Sequence, residues 1–126
     1  MKYAINAPAA PESIGPYSQG TTAGRPVFAS GQLPIAPEHP HHIVAGGIRE
    51  QTEQVIANVE ALLGEVDCNL TDVAQTNVYL SDLADLDAFN EVYAQHFTMP
   101  APARSVVEVS ALPMGALIEM DCVACR

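Results

Sequence analysis

The 126-residue sequence predicts an α+β fold in the order ββαβαββ, with two helices on one face of a mixed sheet. Two stretches repeat their apolar residues at helical spacing, and shorter runs rich in β-branched and aromatic residues stand between Gly and Pro. A third observation concerns the strands, which carry apolar residues on both parities: Val106 on one side of its run, Val107 and Val109 on the other. Two helices cover one sheet face, and no segment is left for a third layer. A homo-oligomer with β-rich contacts is therefore expected to cover the second face.

The elements follow in order. Residues 1–16 are rich in Ala and Pro without a period and read as an irregular arm. Tyr17 to Ala23 is the first strand, Gly24-Arg-Pro26 turns the chain, and Val27 to Leu33 returns as the second strand of a hairpin. Gly31, inside that strand, invites close approach of a ligand or of backbone. Pro34 to Gly47, with three prolines, three histidines and two glycines, reads as a long exposed loop.

Ile48, Thr52, Val55, Ile56, Val59, Leu62, Leu63 and Val66 then recur at helical spacing, with Glu50, Glu53, Glu60 and Glu65 largely off that stripe. Thr71 to Leu80 is the third strand. Asp82 or Asp85 caps a second helix whose stripe is Leu86, Phe89, Tyr93 and Phe97, and Asn90 lies on it. After Pro100 and Pro102, Arg104 to Val109 and Ala116 to Ala124 are two more strands joined through Leu112-Pro-Met-Gly115.

Length places residues 1–126 in one domain, able to bury roughly two-thirds of its unfolded surface. The net charge of −10 comes from 5 Lys+Arg against 15 Asp+Glu, and the cations are scattered. Nucleic-acid binders need a basic stripe, so a polyanion partner is poorly supported. Cys68, Cys122 and Cys125 make an odd count, no run of about 18 apolar residues occurs, and no signal region precedes the first strand. A cytoplasmic protein with reduced thiols and no membrane partner is expected.

A small anion needs only one good arginine. Arg104 is the only cation between Glu50 and Cys125, set in a run that otherwise reads as an apolar strand. A buried guanidinium cannot shed its charge and must find anionic or carbonyl oxygens. Two readings stay open from the residues alone: an anion-binding site, or a structural ion pair with Glu108 or Glu119. Glu38-His-Pro-His-His42 has the residue types of a metal cluster without ligand spacing, and Cys122-Val-Ala-Cys125 would point its thiols to opposite faces of a strand. Neither is read as a metal or redox site.

Collinear segments along nearly the whole chain resemble the reactive-intermediate deaminase (RidA/YjgF) family: Ile14-Gly-Pro-Tyr-Ser-Gln, Ser30-Gly-Gln-Leu-Pro, Gln51-Thr-Glu-Gln-Val, Phe89-Asn-Glu-Val-Tyr, Pro102-Ala-Arg-Ser, Glu108-Val, Leu112-Pro and Ile118-Glu. The resemblance implies a chorismate-mutase-like fold, a homotrimer and clefts between subunits. It also implies cofactor-free hydrolysis of enamines and imines such as 2-aminoacrylate to 2-keto acids and ammonia. It places the carboxylate-binding arginine at Arg104, the water-activating glutamate at Glu119 and the pocket tyrosine at Tyr17, with Ser30, Gly31 and Asn90 at further pocket positions.

One departure is visible. Many members carry Pro-Ala-Arg-Ser-Cys, whereas Val106 stands where that cysteine would be. By strand alternation Val106 shares Arg104's side and is expected to line the cleft as an apolar wall. Glu119 is expected on a strand beside that of Arg104, in apolar surroundings of Leu117 and Val106 that would raise its pKa. Alternatives are a non-catalytic receptor for small carboxylates and, through family members so described, an endoribonuclease or translation inhibitor.

Overall fold

The long apolar stripe beginning at Ile48 forms α1 (Ile48–Gly64), and the second stripe forms α2 (Leu86–His96), in a computed structural model that describes residues 1–126. At the start of α1, Glu50 Oε1 accepts from the Gly47 amide at 2.9 Å, the reach-back half of a capping box. Before α2, the Asp82 side chain accepts from the Ala84 amide at 2.8 Å and caps a 3₁₀ turn over Leu83–Asp85. Asp85 starts the helix without a side-chain cap.

The strands are β1 (Tyr3–Ile5), β2 (Gly20–Thr22), β3 (Pro26–Gln32), β4 (Val73–Leu80), β5 (Ala103–Glu108) and β6 (Ile118–Cys125). They form one sheet in the order β1-β2-β3-β6-β4-β5, with β4 and β5 parallel and every other pair antiparallel. The expected mixed sheet with two helices is present, with one strand more than ββαβαββ. The arm expected to be irregular contributes β1, because Tyr3, Ala4 and Ile5 pair with Thr22, Thr21 and Gly20. Tyr17 falls outside any strand, since pairing begins only at Gly20.

Val55, Ile56, Val59, Leu62 and Leu63 of α1 are wholly buried together with Val27, Leu80, Ile118, Met120 and Ala124 of the sheet. Each large aliphatic side chain so buried contributes about 1.5–3 kcal/mol. From α2, Phe89, Val92 and Tyr93 join the same core. The opposite face of the sheet has no helix. There Phe28 and Val107 are exposed, and Asn77, Tyr79, Glu119 and Asp121 lie half-buried. No helix is long and apolar enough to cross a membrane.

The segment after β3 is less exposed than its prolines and histidines suggest. Leu33 is half-buried, and Pro34, Ile35 and Ala36 are buried. Asn58, wholly buried in α1, donates to the carbonyls of Leu33 and Ile35, both at 3.0 Å, and fastens that stretch down. The loop exposed over its length is shorter than expected.

Candidate active site

The helix-free face carries a groove of about 700 Å³ in which several predicted site residues meet: Tyr17, Ser30, Gly31 and Glu119 all line it. A bulge in β3 opens that place. Ala29 pairs with Cys122 and Gln32 with Met120, so Ser30 and Gly31 stand where β6 supplies only Asp121. A Cβ at position 31 would meet the Glu119 carboxylate and push it aside. Glycine there lets the carboxylate of Glu119 lie against bare backbone.

Glu119 is half-buried and accepts no hydrogen bond from another group of the chain. Burial, and after it the negative charge of Asp121, hold its carboxyl above the ordinary value. Its apolar surroundings are Ile14, Leu33 and Met114, which share the groove, and not Val106. Met114 takes a left-handed conformation, φ 59°, in the 3₁₀ turn Pro113–Gly115.

Tyr17 is about half exposed, and its hydroxyl accepts from the Ile14 amide at 3.3 Å. The Ser30 hydroxyl donates to the Ser18 carbonyl at 2.6 Å, which leaves its oxygen able only to accept from a further partner. Gln19, which the sequence did not single out, braces this wall: it accepts from the Ala7 amide at 2.8 Å and donates to the carbonyls of Ala7, Ala10 and Pro11. One glutamine thereby satisfies backbone that the proline-rich arm cannot pair with a strand. Only its contacts across the fold reveal that duty.

The other predicted residues stand elsewhere. Arg104 is paired in register with Thr76, which is buried under α2, so its side chain is on the helix-bearing side of the sheet. It is exposed there, not buried. Nη1 donates to Asn90 Oδ1 at 2.8 Å, and the guanidinium carbon lies 4.9 Å from the Tyr93 ring centre and 5.6 Å from that of Phe89. Asn90 therefore braces the arginine.

Neither ion pair of the chain, Arg49–Glu91 and His96–Glu53, includes Arg104, so the structural salt bridge with Glu108 or Glu119 is not formed. The expected adjacency of Glu119 and Arg104 fails as well. Strand β4 separates β6 from β5, and the cross-strand partner of Glu119 is Tyr79, on the opposite face from Thr76 and Arg104. Val106 does share Arg104's side. It is half-buried against the core and does not line the groove.

One protomer thus keeps the two apart: a groove with a half-buried carboxylate on one face, and on the other an exposed arginine held by an amide and two rings. The motif residues Cys122 and Cys125 also part, Cys122 buried with its thiol pushed up to about 12 by burial and then by Asp121, Cys125 exposed. His41 of the histidine-rich loop reaches the rim of the groove.

The chain is similar to known proteins over nearly its whole length. The family model described as Endoribonuclease L-PSP matches residues 7–126. A RutC family protein of Pyrococcus abyssi is 50% identical over 115 residues, covering 91% of this chain and 90% of that protein. A human protein named 2-iminobutanoate/2-iminopropanoate deaminase is 37% identical over 124 residues, covering 98% and 90%. The crystal structure of RidA from an Antarctic Psychrobacter superposes with a TM-score of 0.93 at 36% identity, covering 98% of this chain and 99% of that one.

Proposed function

Because this chain belongs to the RidA/YjgF family, we propose that it hydrolyses 2-imino acids, and their enamine tautomers such as 2-aminoacrylate, to 2-keto acids and ammonia without a cofactor. The observation that carries the reading is Glu119: a half-buried carboxylate in a groove, backed by a glycine whose missing side chain leaves it room. Burial supplies the proton affinity that a general base near neutral pH requires.

The working site forms between two copies of the chain. Arg104 of one subunit reaches the groove of its neighbour, which accounts for the two half-sites on opposite faces of one protomer. A homotrimer is the assembly we infer for this arrangement. The free edge of the guanidinium forks the substrate carboxylate with charge-assisted hydrogen bonds, while Asn90 and the rings of Phe89 and Tyr93 fix its plane.

With the carboxylate held, C2 of the imine faces Glu119. A water gives its proton to Glu119 as its oxygen adds to C2. Glu119 returns that proton to nitrogen, which gives the carbinolamine; it then takes the carbinolamine's hydroxyl proton and passes it to nitrogen, the C–N bond breaks, ammonia leaves, and the oxygen remains as the keto group. Water is the nucleophile, so Val106 costs the reaction no step. Tyr17 and Ser30 flank the groove as hydrogen-bonding groups for the adding oxygen or the departing nitrogen.

The endoribonuclease reading finds no support in the charge: the groove is lined by no lysine or arginine, and the chain carries −10. A receptor without catalysis would use the same residues and would tolerate loss of Glu119.

The test is a coupled assay in which a dehydratase releases 2-aminoacrylate from serine while semicarbazide competes for the imine. Wild type should speed pyruvate release and lower semicarbazone. Arg104→Ala and Glu119→Gln should each fall at least about 100-fold in kcat/KM, the scale of a lost charge anchor or general base. Traces with wild type that match those without added protein would reject this activity. Binding retained with turnover unchanged in Glu119→Gln would remove Glu119 from the mechanism.

A further inference from the structure

Glu119 is one of two carboxylates on the open face of β6. Asp121 lies two residues on, about 7 Å along the strand and on the same side. Their surroundings differ. Asp121 Oδ1 accepts from Asn77 Nδ2 at 2.8 Å and Oδ2 accepts from the Tyr79 hydroxyl at 3.0 Å, so both of its oxygens are gripped from β4. Glu119 stands directly across from Tyr79 in the register, yet the tyrosine hydroxyl turns to Asp121 and leaves Glu119 without a donor.

We propose that Asp121, clamped by Asn77 and Tyr79, is a positioning residue for the reaction: it holds a fixed negative charge beside Glu119 and makes Glu119 the carboxylate that accepts and returns the proton. The assignment rests on the deaminase reading above. It follows from a general pattern, in which two nearby carboxylates in unlike surroundings take different parts in proton transfer.

The other titratable and charged groups that face Glu119 come from β3, from the loops and, in the assembly proposed above, from Arg104 of the neighbouring subunit. Gly31 and Ser30 of β3 carry no charge; from the loops come Tyr17, Glu12 and His41, and no lysine or arginine of the same protomer lines the groove. The raised pKa of Glu119, due first to burial and then to Asp121, agrees with the geometry. So does Tyr79, whose hydroxyl is pushed above its ordinary value first by its bond to Asp121 and then by burial.

The test follows the Glu119 carboxyl carbon by NMR through a pH titration of the ligand-free protein, in wild type, Asp121→Asn, Asp121→Ser and Asp121→Glu. Both neutral variants should move the Glu119 midpoint to lower pH, and Asp121→Glu should keep it near wild type. Turnover of the imine at fixed neutral pH should fall by about three- to tenfold in the neutral variants, as general-base efficiency follows basicity, and recover in Asp121→Glu. A midpoint unmoved in a folded neutral variant overturns the role of Asp121 whatever the turnover. A midpoint that moves while wild type shows no turnover overturns the deaminase reading instead. Asp121→Ser, smaller and still able to accept from Tyr79, decides the matter if the asparagine variant does not fold.

Discussion

Glu119 is a residue whose surroundings oppose its charge. Its carboxyl is raised in the folded chain by burial and by Asp121, so the unfolded chain gives up this proton at lower pH than the folded one. Between those two values the folded state binds more protons, and stability falls as pH rises. Glu119→Gln should therefore melt higher than wild type at pH 7, and the gap should close below about pH 4, where both states of the wild-type carboxyl are protonated. Solvent screening at this half-exposed group keeps the gap small. Thermal melts at the two pH values check it, and equal melting temperatures at pH 7 would show that the site does not penalise the charge. At this scale the residue types were legible: Arg104 stood out as a lone cation in an apolar run, and Gly31 as a glycine inside a strand. The clamp on Asp121 was not, since Asn77 and Tyr79 meet it only across two paired strands.

Among the elements, α1 does more than cover the sheet. Its buried polar residues are anchors for loops that shape the groove: Asn58 holds the Leu33 and Ile35 carbonyls, and Gln51 Oε1 accepts from the Leu117 amide at 2.8 Å, two residues before Glu119. Asn58→Ala would leave two buried carbonyls without donors and should cost about 2–4 kcal/mol. Urea unfolding measures it, and a loss under about 1 kcal/mol would mean that water replaces the amide. Helical spacing announced α1 and α2 because burial selects one face of a helix. The period could not show that Asn58 and Gln51, within that face, were chosen for partners over 20 residues away in sequence. Nor could it show β1, a three-residue strand that exists only because β2 offers it an edge.

The molecule as a whole presents a sheet with one face under helices and one without, and on the second face Phe28 and Val107 are exposed. Exposed apolar residues on a sheet beside unfinished half-sites fit a surface shared with other copies. Sedimentation at micromolar concentration should give about three times the 13.3 kDa of one chain, and Val107→Glu should shift it toward the monomer by placing a charge in the contact. A monomeric wild type would remove the shared site. The expectation of a covered second face came from apolar residues on both parities of the strands, a pattern that reports how many layers a sheet needs.

By itself the sequence determined the α+β class, both helices, the core stripe and the chemical types at the site, because periodicity and side-chain chemistry are local properties. Its net charge of −10 and scattered cations also left a polyanion partner poorly supported, because charge is additive. Only the tertiary structure decided that β4 runs between β5 and β6, and with that, that Arg104 and Glu119 face away from each other. Strand order is set by how the α1 and α2 crossovers return the chain to the sheet, and alternation then fixes each side chain's face. Two residues with complementary chemistry can therefore be read from the chain, while the side of the sheet on which each stands is settled by pairing.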